Sequence, residues 1–262
     1  MSVVVPSVKM TNVSCVWTKD STDGPLNKVN IDIHGNSLLA VTGPVGSGKS
    51  SLLQAISGEL LLSSGKLQVK GNIAYVSQSA WIFSGTVRDN ILFGNEYGEE
   101  KYQKVIIACA LVDDMAKFPK GDLTQLGERG VSLSGGQKAR VSLARAVYYD
   151  ADIYLLDDPL SAVDNKVGKH ILENCILGLL GDRLKIFLTH HLQYTNRADY
   201  IVVLKEGIIA KSGTFQQMQL DSDFSNAFAQ YDNGAVVDEI VPEAERYLQL
   251  QVYNVSVTTH PM

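Results

Sequence analysis

Gly43-Pro44-Val45-Gly46-Ser47-Gly48-Lys49-Ser50 is the stretch that most restricts how this 262-residue chain can fold. Glycines at 43, 46 and 48 permit backbone turns that other residues resist, so that N–H groups can face inward around a polyphosphate. The apolar run from Ser37 to Thr42 predicts a buried strand before the loop, and Lys49 to Ser57 predicts a helix directly after it. That helix brings the positive end of its dipole to the loop. Strand, glycine loop and helix form the context that separates a P-loop from a glycine-rich turn in front of a core helix. Lys49 is then expected to reach the β- and γ-phosphates and Ser50 to offer its hydroxyl to Mg²⁺, with Ser51 counted among the nucleotide-binding residues.

The rest of the chain alternates in the same way. Val8 to Trp17 and Val29 to Ile33 are β-rich and flank a turn-forming segment, Asp20 to Pro25. Thr86 to Tyr148 has a largely helical character, with apolar residues at helical spacing in Glu99 to Leu111 and Gly136 to Tyr148. Ile153 to Leu156 and Leu184 to Leu188 predict buried strands on either side of an amphipathic helix, Val163 to Leu180. Tyr200 to Leu204 and Ile208 to Lys211 flank Lys205-Glu206-Gly207 as a hairpin, and short helices continue to about Tyr231. Strands alternating with helices favour an α/β fold with a mostly parallel sheet covered on both faces. One domain over 1–233 is expected, with a helical subdomain at about 86–147 and a linker or loosely ordered tail at 234–262.

Ile153-Tyr154-Leu155-Leu156-Asp157 fits a Walker B strand, in which a buried apolar run carries a carboxylate to the metal. Between it and the glycine loop stands Leu133-Ser134-Gly135-Gly136-Gln137, at the start of a helix and so a second anion site. In this order the three motifs resemble the nucleotide-binding domain of an ATP-binding-cassette (ABC) transporter, over roughly Val8 to Tyr231. Asp-Asp-Pro-Leu-Ser-Ala-Val-Asp from Asp157, Gly-Pro-Val-Gly from Gly43 and Ala-Tyr-Val-Ser-Gln from Ala74 are similar to the first such domain of multidrug-resistance-associated transporters, subfamily C.

The resemblance implies a P-loop NTPase core, an antiparallel β-subdomain and an α-helical signature subdomain, with ATP and Mg²⁺ as cofactors. It implies a head-to-tail dimer in which Ser134, Gly135, Gly136 and Gln137 close on ATP held by a second nucleotide-binding domain. Gln78 falls at the glutamine that ligates Mg²⁺ with Ser50 and Asp157. His190, after Leu188-Thr189, matches the switch histidine, with His191 adjacent. Trp17 stands where the family stacks adenine, although it would also suit a core. Ser161 to Asp164 corresponds to a loop across the dimer, or Asp164 simply begins a helix. Trp81 and Phe83 belong to a segment that touches transmembrane domains, or to the core. Gly127-Glu128-Arg129-Gly130 fits a loop communicating with those domains, or a solvated charged turn. Asp158 departs from the family, which mostly has Glu there to polarise the attacking water; the missing methylene withdraws the carboxylate by about 1.5 Å. Asp158, His190, Gln78 and Lys49 are the expected catalytic residues, with slow turnover at this site.

Lys plus Arg number 23 against 28 Asp plus Glu, a net charge of -5, and no basic face suggests a nucleic-acid partner. Cys15, Cys109 and Cys175 lack paired metal-ligand spacing and read as reduced core thiols. The Asn12 and Asn254 sequons read as chance matches. No run approaches the roughly 18 to 20 apolar residues of a spanning helix, and Met1 to Pro6 lacks signal-peptide character. The resemblance then implies a place at the cytoplasmic face of a membrane as part of a transporter, with the pore in other domains, or a soluble cytoplasmic domain if the chain is expressed alone. Two rivals remain: a regulatory ATP-binding module that gates a channel or transporter, and a soluble ABC ATPase of DNA repair or translation, which the acidic charge disfavours.

Overall fold

A computed structural model describes residues 5–21, 23–127 and 131–232, with side chains to residue 228. Glu128 to Gly130, Asn254 and the predicted 234–262 tail lie outside the described residues. The chain begins with β1 (Ser7–Val16) and β2 (Leu26–His34), enters β3 (Leu38–Thr42), and passes through the glycine loop into α1 (Lys49–Ser57). β4 (Leu61–Lys70) and β5 (Ile73–Val76) follow. A mostly helical stretch then comprises β6 (Gly85–Thr86), α2 (Val87–Leu92), α3 (Glu99–Ala108), α4 (Val112–Lys117), β7 (Gln125–Leu126) and α5 (Gly135–Tyr149). The last part runs through β8 (Ile153–Asp157), α6 (Asn165–His170), β9 (Leu184–Leu188), β10 (Tyr200–Lys205), β11 (Ile208–Gly213), α7 (Phe215–Gln219) and α8 (Ser222–Asp232).

The main sheet has the order β11-β10-β3-β9-β8-β5. Only the β10–β11 pair in it is antiparallel. Every residue of β3, β8 and β9 is buried, as a parallel sheet covered on both faces requires. Period-two alternation then feeds two cores. Ile153, Leu155, Leu184, Ile186 and Leu188 face a core shared with α1 and the antiparallel sheet β2-β1-β4. Tyr154, Leu156 and Phe187 face the opposite core, built with α2, α3 and α5. The glycine loop therefore leaves the end of β3, and Asp157 stands at the end of β8, between these two cores.

The helix predicted over Val163 to Leu180 begins later, at Asn165, because the Asp164 carboxylate accepts the Val167 N–H at 2.9 Å and caps the first turn. From Ile171 to Leu179 it continues as a π-helix. All three cysteines are buried and free, and the fold brings the Cys109 and Cys175 sulfurs to 3.8 Å although 66 residues separate them.

Candidate nucleotide-binding site

β3 delivers the chain into the loop, and close backbone approach explains its glycines. A Cβ on Gly43 (φ 144°) would lie 2.1 Å from the Leu204 carbonyl oxygen. Gly48 (φ 97°) caps α1 with no side chain of its own, which leaves the first-turn N–H groups unshielded. The loop is gripped from behind by the β10–β11 turn: Gly207 N–H donates to the Ser47 carbonyl at 3.0 Å, while the Gly207 carbonyl accepts Asn27 N–H at 2.8 Å. The Pro25 carbonyl oxygen fits between Gly48 and Gly207, 2.6 Å from where a Cβ on either would stand. Gly207→Ala is therefore expected to destabilise the chain by about 1–3 kcal/mol, from the left-handed φ and the contact, and to weaken ATP binding several-fold. Urea unfolding and a nucleotide titration would check both.

The Lys49 ammonium donates to the Gly43 and Pro44 carbonyls at 2.8 and 2.7 Å, so it is aimed into the loop's concavity. Burial lowers its pKa, and the Asp158 and Asp157 carboxylates oppose that shift. Ser50 Oγ donates to Asp157 Oδ1 at 3.2 Å, and the Tyr75 hydroxyl donates to Asp157 Oδ2 at the same distance. Asp158 is 5% exposed and adopts φ 48°. Its Oδ1 is buried without a hydrogen-bond partner, an arrangement that costs free energy unless something is bound there. Burial pushes its pKa up, against the pull of His190 and His191.

Lys49, Ser50, Asp157 and Asp158 share one cavity of about 410 Å³. Trp17, Val45, Gly46, Gly48, Lys49, Ser50, Ser51, Gln78, Asp157, Asp158 and His190 all line it. Trp17 stands just past β1 and is 57% exposed, which excludes the core alternative. Pro25, Leu188 and Thr189 complete the lining. Ser50, Gln78 and Asp157 are oxygen donors of the type Mg²⁺ takes. Among the described residues, no group of three or more His, Cys, Asp or Glu side chains is placed to hold a metal ion.

The signature segment is built separately, and none of Ser134 to Gln137 lines the cavity. Ser134 Oγ accepts Gln137 N–H, and Gln137 Oε1 accepts Ser134 N–H, forming a capping box at the start of α5. Gln137 Nε2 also donates to Asp114 Oδ1 at 2.8 Å, and the same carboxylate pairs with Arg140. A Cβ on Gly136 would stand 2.8 Å from the Ala162 carbonyl, so the signature abuts the Ser161 to Asp164 loop. Further along α5, Arg145 donates to the Asn90 and Trp81 carbonyls and lies over the rings of Trp81, Phe83 and Phe93. Trp81 is exposed, and a second cavity of about 460 Å³ is lined by Phe83 and Phe93. Tyr75, Pro25, Gly207 and Asp114 escaped the motif reading. Tyr75 lies inside the Ala74 to Gln78 motif, and Pro25 and Gly207 lie in segments read only as turns.

Residues 26–161, just over half of the chain, match the family model described as ABC transporter. The chain belongs to the ABC transporter family. Relatives about 50% identical over 80% of the chain are subfamily C members. It is 53% identical over 210 residues to human ATP-binding cassette sub-family C member 4, a match covering 80% of this chain and 16% of that protein. It is 50% identical over 212 residues to ABC transporter C family member 12 of Dictyostelium discoideum, covering 80% of this chain and 16% of the relative. ABC transporter C family member 9 of Arabidopsis thaliana is 46% identical over 212 residues, covering 81% and 14%. The chain thus corresponds to about one sixth of the length of these relatives. As an ABC domain it carries the fold class expected of a P-loop NTPase. No helix among the described residues is long and apolar enough to cross a membrane.

Proposed function

We propose that this chain binds Mg·ATP in the 410 Å³ cavity and closes head-to-tail on a second nucleotide-binding domain, driving a subfamily C membrane exporter from its cytoplasmic face. The observation that carries the proposal is the convergence of Trp17, Lys49, Ser50, Gln78, Asp157, Asp158 and His190 on that one cavity. Trp17 stacks adenine, with Val45 beside it. Loop N–H groups and Lys49 hold the phosphates. Ser50, Asp157 and Gln78 would hold the ion, which would supply positive charge against the phosphates. Asp158 and His190 orient the attacking water, and Asp158 receives its proton or steers it through a hydrogen bond. Ser134, Gly135, Gly136 and Gln137 recognise the γ-phosphate of ATP bound to the partner domain. The separation of the signature from the cavity supports this, because one bound nucleotide would then be clamped by two chains.

The surface formed by exposed Trp81 and Phe93 with half-buried Phe83 is assigned to docking on the transmembrane domains. Arg145 links it physically to the signature helix. A second reading is favoured by the short, buried Asp158: ATP stays clamped, and occupancy gates the transporter with little turnover. Single-turnover hydrolysis by this chain paired with a Glu-bearing partner domain separates the two. Cleavage of the ATP held by this chain supports the exporter ATPase, and binding without cleavage at that site supports the gating module.

A further inference from the structure

Tyr75 is not among the residues that the motif reading assigns to nucleotide chemistry, yet it is tied to the centre of the site. β5 pairs in parallel with β8, with Tyr75 opposite Leu155. Two residues further along β8, the alternation returns Asp157 to the face that Tyr75 occupies. That face packs against the core that includes α1 residues Leu52 and Leu53, and Ser50 is the second residue of α1. Strand register thus brings a phenol, a carboxylate and a hydroxyl together from three different elements. Asp157 is 6% exposed, so few waters compete for its oxygens. Each carboxylate oxygen has one protein donor: Ser50 Oγ at Oδ1 and the Tyr75 hydroxyl at Oδ2, both at 3.2 Å.

We infer that Tyr75 is a positioning residue for the metal-bearing carboxylate, its hydroxyl pinning Asp157 Oδ2 so that Oδ1 is presented toward Ser50. The inference rests on the proposed role of Asp157 in holding Mg²⁺. A carboxylate on a free Cβ–Cγ bond samples a broad range of rotations. A donor on one oxygen narrows that range and fixes which oxygen faces the ion. Such outer partners of a ligand typically govern metal affinity by about 10- to 100-fold where the ligand has few other restraints. Here Ser50 supplies a second restraint, so the effect should be smaller.

The test uses the full chain and a fluorescent ATP analogue, with nucleotide affinity measured across a Mg²⁺ titration and in EDTA. Tyr75→Phe keeps the ring and its packing while deleting the donor. It should raise the half-saturating Mg²⁺ concentration about three- to ten-fold, leaving affinity in EDTA within about twofold and thermal stability nearly unchanged. Mn²⁺ binding followed by electron paramagnetic resonance in the presence of ATP should weaken in parallel. Asp157→Asn is the control. If it alone shifts the Mg²⁺ midpoint, Asp157 holds the ion without help from Tyr75, and the inference is overturned. If neither variant shifts it, the metal role of Asp157 fails and the inference falls with it. A Tyr75→Phe protein weakened equally in EDTA and in Mg²⁺ would show Tyr75 to be a packing residue, which also overturns the inference.

Discussion

Ser134→Arg should remove most ATP turnover from the dimer of this chain with a partner domain that carries the usual catalytic glutamate. Ser134 stands at the N-cap of α5, where its hydroxyl and the neighbouring N–H groups form an anion-binding end. In the proposed closed dimer that end would face the γ-phosphate held by the partner. Arginine puts bulk in the same place and removes the hydroxyl acceptor, which costs about 1 kcal/mol of local helix stability. Lost transition-state contacts matter far more. Removing one preorganised donor from a site of this kind costs about 100- to 1,000-fold in rate. Steady-state phosphate release checks the outcome. Full activity in a dimer that still forms would mean that the signature does not act across the interface.

Asp158→Glu should act in the opposite direction, accelerating cleavage at this chain's own loop by about ten- to a hundred-fold with little change in ATP affinity. A misplacement near 1 Å can cost about a hundredfold, and the shorter side chain holds its carboxylate about 1.5 Å further back. The backbone at this position is already unusual, with φ 48°, and its N–H is held by the Leu188 carbonyl at 3.2 Å. A longer side chain therefore extends from a fixed point. Single-turnover cleavage with the partner's catalytic glutamate disabled isolates this site. Absence of acceleration would overturn the short-carboxylate explanation for the slow turnover proposed at this site.

Motif residues were legible because their chemistry requires particular residue types at particular spacings. Helix Lys49–Ser57 and strand Leu184–Leu188 have the predicted bounds, since Gly48 and Gly58 flank the helix and the polar Arg183 and Thr189 flank the strand's apolar run. β4 was less legible: its residues are largely exposed, and pairing with β1 holds the strand rather than a buried stripe. The start of α6 needed the side-chain cap from Asp164, which periodicity does not carry. Gly207 and Pro25 support the loop through backbone contacts between segments far apart in sequence. Asp114 reaches the signature from α4, 23 residues before Gln137. Such partners become visible only when strand order and helix packing are known.

The most direct test of the account is calorimetric titration of the full chain with Mg·ATP, beside Lys49→Ala. The Lys49 ammonium is held between the Gly43 and Pro44 carbonyls, facing the cavity shared by Ser50, Asp157 and Asp158. Hydrogen bonds to charged groups contribute about 1.5–3 kcal/mol. The variant should therefore bind ATP about 10- to 100-fold more weakly, with its circular dichroism unchanged and its AMP affinity little affected. Equal ATP affinity in the two proteins would contradict the assignment of this cavity to nucleotide phosphates.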